Sequence, residues 1–163
     1  MTNTTIETAG TAGASGAEGT AVQAAPQKTK IVQRRWGLLL VVTAAPHSND
    51  VITSALRLAQ SVLDQGKTVR MWACGYANML TQKSHGDTKL INTRDPEGHY
   101  PSSAHIVREM LAANPGKFAW IACTACSAER GATDHIAEVR FRSPMRFVST
   151  IEAADQTVFI GGA

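Results

Sequence analysis

A short apolar run that leads directly into a cysteine, Phe118–Cys123, constrains this chain more than any other stretch of its sequence. The run is continuous and partly aromatic, which is typical of a strand covered by other elements on both faces. The residues that follow, 124–130, are compatible with a helix, and Gly131 is suited to ending it. The stretch therefore predicts a strand that passes directly into a helix, with Cys123 at the junction.

This predicted position makes Cys123 the strongest candidate for chemistry. At the amino end of a helix, free backbone N–H groups and the positive end of the helix dipole favour the thiolate form of a cysteine, which is the reactive nucleophile. Folds of the α/β class commonly carry their sites at the carboxyl ends of strands. We therefore expect Cys123 to be a nucleophilic or sulfur-accepting residue.

Strands and helices are predicted to alternate before this stretch as well. Residues 36–43 form a predicted first strand, residues 51–65 an amphipathic helix that Gly66 ends, and residues 69–74 a second strand. A strand, a helix and a strand in this order imply parallel pairing with a right-handed crossover.

The same alternation continues to the end of the chain. Ser102 or Ser103 is predicted to cap a helix, the pair Ser143-Pro144 to begin another, and residues 157–160 to form the last strand. Residues 137–142 are ambiguous. The predicted fold is a three-layer α/β sandwich with a mostly parallel open sheet and helices on both faces.

The overall composition narrows the class of protein. A chain of 163 residues with 44% hydrophobic residues is long enough for one domain with a substantial core. The net charge of +3, without a long basic run, does not favour nucleic-acid binding, and no apolar stretch reaches the about 18 residues of a membrane helix. Three cysteines argue against a disulfide scaffold and fit a reducing compartment, so we expect a cytoplasmic protein.

Residues 1–33 differ in composition from the rest of the chain. They are rich in Thr, Ala, Gly and Gln and contain no aromatic residue, which predicts a disordered tail before a single domain over residues 34–163. Arg34 and Arg35, followed by an apolar run, imitate an export signal. The strand interpretation is favoured because cleavage after Ala45 would remove the first unit of the alternating pattern.

Cys123 and Cys126 form a C-x-x-C pair, for which the residues leave several interpretations open. A structural zinc site needs further ligands, and Cys74, His105 and His135 are candidates only by approximate position, so no metal is predicted. A thioredoxin-like dithiol usually follows the first strand of its fold, whereas this pair follows the third. A buried, inert pair is a further interpretation. The favoured one is a nucleophilic Cys123, with Cys126 assisting or incidental.

Three other residues are candidate contacts of this site. His47, in the loop after the first strand, would serve as a proton donor or a cationic neighbour of the thiolate, or it is a solvated loop residue. Cys74 ends the second strand and either faces the same crevice or belongs to the core. Arg130 is expected to bind a carboxylate or to cap carbonyl groups of its helix. The polar segment 81–101 is either a lid or a solvated loop.

The segment Cys123-Thr-Ala-Cys-Ser-Ala-Glu-Arg130-Gly131 resembles the C-x-x-A/C-x-x-x-R-G segment of the DsrE family. That family includes the TusD-like subunits of bacterial sulfur relay. The resemblance extends to the proline-containing loop at 43–46, to the segments 55–59 and 63–69, and to the ending at 153–159. In this order the similar segments span residues 34–163.

The resemblance implies a sandwich that assembles into trimers or hexamers. In the sulfur-relay members a cysteine takes a persulfide from a donor protein and passes it to an acceptor. Cys123 matches that cysteine and Arg130 and Gly131 match the residues after it, while Cys126 lies where TusD-like members often have alanine. We therefore expect a persulfide-carrying protein with sulfur donor and acceptor proteins as partners, and no cofactor. The alternatives are a non-catalytic oligomer that binds a small ligand or a metal, and a dithiol redox protein.

Overall fold

Five strands form one sheet, and every neighbouring pair of strands is parallel. The computed structural model describes residues 34–46, 50–89, 95 and 97–161. Along the chain the strands are β1 (Trp36–Val42), β2 (Val69–Ala73), β3 (Phe118–Cys123), β4 (Arg140–Arg142) and β5 (Ala154–Ile160). Their order across the sheet is β4-β3-β2-β1-β5. The predicted parallel α/β sheet is therefore confirmed.

The described part of the chain has four α-helices between these strands: α1 (Val51–Asp64), α2 (Ser103–Ala113), α3 (Thr124–Glu129) and α4 (Phe147–Glu152). A 3-10 helix, Gly75–Thr81, follows β2. None of the helices in the described ranges combines the length and the apolar character needed to cross a bilayer.

The chain divides into two units, Met1–Val32 and Gln33–Ala163, and every described residue belongs to the second. The predicted disordered tail, residues 1–33, therefore lies outside the described residues, and so does the candidate His47.

Helices cover both faces of the sheet, as the three-layer prediction requires. On the first face, side chains such as Leu40, Met71 and Trp120 pack with residues of α1 and α2 in the larger hydrophobic cluster. On the second face a smaller cluster packs against Phe147 and Ile151 of α4, and it consists of Leu39, Val41, Trp72, Ile121 and Cys123. The second face is therefore less completely covered, and Cys123 is part of its core.

The sequence predicted the central strands more accurately than the edge strands. Every residue of β2 and β3 is buried; β3 is a continuous apolar run, and β2 is apolar apart from Arg70. The ambiguous segment 137–142 contains the edge strand β4, in which Arg140 and Phe141 are exposed. The last strand begins at Ala154, so its predicted start at 157 is wrong. The missed residues Asp155 and Gln156 are exposed on the other edge, where no apolar pattern marks a strand.

The serines predicted to begin helices make the expected hydrogen bonds. The hydroxyl of Ser102 accepts a hydrogen bond from the N–H of His105 at 3.1 Å, at the start of α2. The hydroxyl of Ser143 accepts one from the N–H of Met145 at 3.3 Å, and Pro144 begins a short 3-10 helix that leads into α4. Both groups satisfy backbone donors that the first turn of a helix leaves without partners.

The parallel register brings the ends of the three central strands to one place. Val42 of β1 pairs with Ala73 of β2, and Ala73 pairs with Ala122 of β3. The N–H of Cys74 donates to the carbonyl oxygen of Val42 at 2.9 Å, which extends the pairing by one residue. Cys74 and Cys123 therefore leave neighbouring strands at the same edge of the sheet.

Candidate functional site

Three cysteine side chains meet at the carboxyl edge of the sheet. The Sγ atoms of Cys74, Cys123 and Cys126 all lie within 4.8 Å of one another, and those of Cys74 and Cys126 are 3.4 Å apart. All three thiols are free. We call these residues the cysteine cluster. It unites the C-x-x-C pair with a cysteine that the sequence separates from it by a whole helix and strand.

The turn after β3 places two members of the cluster. Cys123 is the last residue of β3 and the N-cap of α3, and Cys126 lies in the first turn of this six-residue helix. Gly131, with φ 65°, ends the helix, because its conformation lets the N–H groups of residues 131 and 132 donate to the carbonyls of residues 128 and 127. The predicted strand, helix and closing glycine are therefore confirmed.

Gly75 shapes the other side of the cluster. Its φ of 57° lies in the left-handed region that residues with a Cβ rarely adopt, and the chain turns there from β2 into the 3-10 helix. In this conformation the Gly75 N–H faces the sulfur atoms of Cys74 and Cys126, and it acts to lower the pKa of both thiols. No sequence motif pointed to this glycine.

The three thiols differ in burial. Cys123 is only 2% exposed, because its side chain belongs to the core of the second sheet face. Cys74 and Cys126 are half-buried and pack at the margin of the same core. A reagent or a partner protein therefore reaches Cys74 and Cys126 more easily than Cys123.

Their acidities differ as well. Burial raises the pKa of the Cys123 thiol, although the N–H groups of Cys126 and Ala125 act in the opposite direction. Burial and the neighbouring Cys126 raise the pKa of Cys74 to about 11. Burial acts to raise the pKa of Cys126 too, but the Gly75 N–H, the other two thiols and the charge of Arg130 outweigh it, so this pKa is lowered. Cys126 is therefore the thiol that ionises most readily.

This geometry changes the ranking within the C-x-x-C pair. The sequence favoured Cys123 as the nucleophile with Cys126 assisting, and that assignment stays a prediction. Burial and acidity in the folded protein favour Cys126 as the first thiolate to react. Both properties depend on groups that are distant in the sequence, namely the core of the second face and the Gly75 N–H.

The positive charge of Arg130 helps to lower the pKa of Cys126. Its guanidinium binds the carboxylate of Glu129 at 2.7 Å and lies 4.9 Å from the centre of the Tyr76 ring. The Tyr76 side chain is 59% exposed, so the pair forms an open, cationic rim beside the thiols. The sequence anticipated the carboxylate contact of Arg130 but gave no signal for Tyr76.

A buried network of polar side chains links the two backbone turns that carry the cysteine cluster. The side-chain amide of Asn78 donates to the carbonyl oxygen of Gly75 at 3.1 Å, and the hydroxyl of Ser127 donates to the Asn78 side-chain oxygen at 3.2 Å. Asn78 and Ser127 are 0% and 3% exposed, and Ser127 follows Cys126 directly. The network therefore fixes the position of the Gly75 turn relative to the first turn of α3. No sequence motif marked Asn78 or Ser127.

His135 completes this network and is not a ligand in the cysteine cluster. Its Nε2 donates to the carbonyl oxygen of Ala132 at 2.6 Å, so its Nδ1 is the acceptor for the Thr81 hydroxyl at 2.8 Å. Burial lowers the pKa of His135 because it disfavours the charged imidazolium, although the carbonyl oxygen of Ala132 and the charge of Asp134 act in the opposite direction.

The remaining candidates lie elsewhere. His105 is on α2 with its Nδ1 3.5 Å from the carboxylate of Asp87, and His47 lies outside the described residues. In the described part of segment 81–101, Gln82 bridges to His135 outside the segment, and Thr88 bridges to Pro101 within it.

Together, the parallel sheet, the helices on both faces and the site at the carboxyl edge define a three-layer α/β protein with a DsrE-like fold. Among solved structures, the chain is similar to the ychN protein from E. coli, with a TM-score of 0.57 and 18% sequence identity over 77% of this chain and 99% of that chain. At this identity the likeness concerns the fold alone. No protein-family model matches the sequence, and no curated protein does.

The burial and acidity of the thiols predict an order of alkylation. With iodoacetamide near neutral pH, we expect Cys126 to react about tenfold or more faster than Cys74, because each pKa unit changes the thiolate fraction about tenfold. Cys123 should react last because it is enclosed. Peptide mass spectrometry of briefly labelled protein measures the three rates. The control is labelling in urea, where the rates should converge, and preferential labelling of Cys123 in the folded protein would contradict the ranking.

The neutral state of His135 predicts a loss of stability in acid. In the unfolded chain His135 becomes protonated as pH falls through its ordinary pKa of 6.5, whereas in the folded protein it stays neutral to lower pH. The unfolded chain therefore binds more protons in this range, and the free energy of unfolding should fall as pH falls below 6.5. Urea unfolding above and below this pH should show a smaller fall for His135→Gln than for the unaltered protein. The exposed His99 offers a control, His99→Gln, which should keep the full pH dependence. An unchanged slope in His135→Gln would contradict this role.

Proposed function

We propose that this protein carries sulfane sulfur as a cysteine persulfide within the cysteine cluster. The observation that carries the proposal is the meeting of three free thiols within 4.8 Å at the carboxyl edge of a parallel sheet. The DsrE-like fold supports it, since the segment from Cys123 to Gly131 resembles that of sulfur-relay proteins. The donor and the acceptor of sulfur would be other proteins, which reach the cluster at its exposed rim.

Sulfur enters at Cys126. Its thiolate attacks the outer sulfur of a donor persulfide, a new S–S bond forms at Cys126, and the S–S bond of the donor breaks so that the donor leaves as a thiolate. No net oxidation occurs, because the sulfane sulfur only changes its carrier. The half-buried position of Cys126 and the facing Gly75 N–H support this role.

Cys74 and Cys123 have different parts in the proposal. With a pKa of about 11, Cys74 stays a thiol at neutral pH and is a hydrogen-bond donor to the Cys126 sulfur, 3.4 Å away. Cys123 is a protected holding position. Its sulfur attacks the outer sulfur of the Cys126 persulfide, its proton passes to Cys126, and the persulfide is then enclosed where water and small thiols reach it least.

Intact-protein mass spectrometry after incubation with polysulfide tests these roles. The unaltered protein should gain about one sulfur mass, reversibly on reduction. Cys126→Ser should lose the gain, whereas Cys123→Ser should still load but release its sulfur faster to added thiol, by about tenfold or more if enclosure of the persulfide protects it. Cys74→Ser should still load.

The chain has only three cysteines, so the variant with all three changed to serine is a complete negative control. Full loading of Cys126→Ser would remove Cys126 as the entry point. If the unaltered protein gains no sulfur from polysulfide, the persulfide role itself is wrong.

The same three sulfurs would also suit a thiophilic metal ion, which is the second candidate function. Soft thiolate ligands select ions such as Cu(I) and Zn²⁺, and three sulfurs within 4.8 Å of one another can converge on one ion. Metal analysis of protein purified without chelator distinguishes the two candidates. A stoichiometric metal that is lost in the triple serine variant and that prevents sulfur loading would favour metal binding.

A further inference from the structure

Among the residues that the structure describes, a buried arginine on the second face of the sheet has no acidic partner. Arg70, in the middle of the sheet on β2, is 8% exposed, and its Nε is enclosed without a hydrogen-bond partner in the described structure. Its guanidinium lies 4.4 Å from the centre of the Trp36 ring, which covers one side of the group. Ala119, its neighbour on β3, presents only a methyl group and no hydrogen-bonding side chain.

The register of the sheet brings more arginines to the same face. Arg140 pairs with Ile121 and Arg142 pairs with Cys123, and both of these partners belong to the core of the second face. Because paired residues of neighbouring strands point to the same side, Arg140 and Arg142 share this face with Arg70. Arg34, which precedes β1, lies 5.2 Å from the centre of the Trp36 ring.

These charges are not balanced by acidic groups. Within the described ranges, the ion pairs of the protein involve other basic residues, namely Arg35, Lys83, His105, Arg108 and Arg130. Burial lowers the pKa of Arg70 to about 10, and every neighbouring charge that adds to this shift is another arginine: Arg142, Arg140 and Arg34. Arg70 is still a cation at neutral pH, held in the core among like charges.

We propose that Arg70, Arg140 and Arg142 form a binding site for a small oxyanion of the sulfate or phosphate type. A buried cation without a partner is costly, and an anion between the three guanidinium groups would offset both its desolvation and the mutual repulsion. The planar guanidinium, with one side against Trp36, offers its N–H edge to two oxygen atoms at once. The site is independent of the cysteine chemistry, because it requires no thiol.

Titration with sodium sulfate at low millimolar concentration, against sodium chloride of equal ionic strength, tests the site. Isothermal calorimetry should detect saturable sulfate binding to the unaltered protein, with a matching rise in melting temperature. Arg70→Met should lose this binding, and Arg142→Met, which changes a residue at the rim, should weaken it about tenfold or more, as expected for a lost charged hydrogen bond.

Arg57→Met is the matched control, because Arg57 is exposed on α1 at the opposite face. It should keep the affinity of the unaltered protein. Absence of sulfate binding to the unaltered protein, or unchanged affinity in Arg142→Met and Arg70→Met, would overturn the proposal. If Arg70→Met does not fold, Arg142→Met decides. A further outcome is that the arginine variants change oligomer size while the unaltered protein binds no sulfate. That result would indicate that a carboxylate of a second copy, and not an oxyanion, neutralises these arginines.

Discussion

The parallel register of the three central strands is the constraint on which the candidate site depends. Hydrogen bonding between β1, β2 and β3 places Val42, Ala73 and Ala122 side by side, and the chain leaves β2 and β3 at the next residues, both cysteines. A slip of one residue would turn every side chain of a strand to the other face and would move Cys123 into the core against α1 and α2. The approach of Cys74 and Cys123 therefore follows from backbone pairing, and the first turn of α3 adds Cys126.

The elements with local signals could be predicted from the sequence. The largely apolar strands β1, β2 and β3, the cap at Ser102 and the closing Gly131 are each marked by a few neighbouring residues. β4 was not recognised as a strand because its sequence, Arg140-Phe-Arg142, lies at an exposed edge of the sheet and pairs on one side only. Edge strands are specified by the strand already in place beside them, so their own residues carry a weak signal.

The members of the cysteine cluster could be anticipated, but their ranking could not. Acidity is decided by groups that lie far away in the chain: the Gly75 N–H acts on Cys126, and the core around Leu39 and Ile121 encloses Cys123. The C-x-x-C spacing contains none of this information. Asn78 affects the thiols only indirectly, through its hydrogen bond to the carbonyl oxygen of Gly75. An isolated asparagine in a sequence gives no sign that it will be buried.

The basic residues illustrate the same limit for electrostatics. They form no long run in the sequence, and a net charge of +3 suggests no concentrated field. Alternation along β2 and β4 nevertheless turns Arg70, Arg140 and Arg142 to one face, where the charges of Arg142 and Arg140 add to the effect of burial in lowering the pKa of Arg70. Arg142 is paired in register with Cys123, so the arginines and the thiols occupy adjoining parts of the second face. The less completely covered second face therefore carries both the arginines without acidic partners and the reactive thiols, whereas the first face carries the larger hydrophobic cluster.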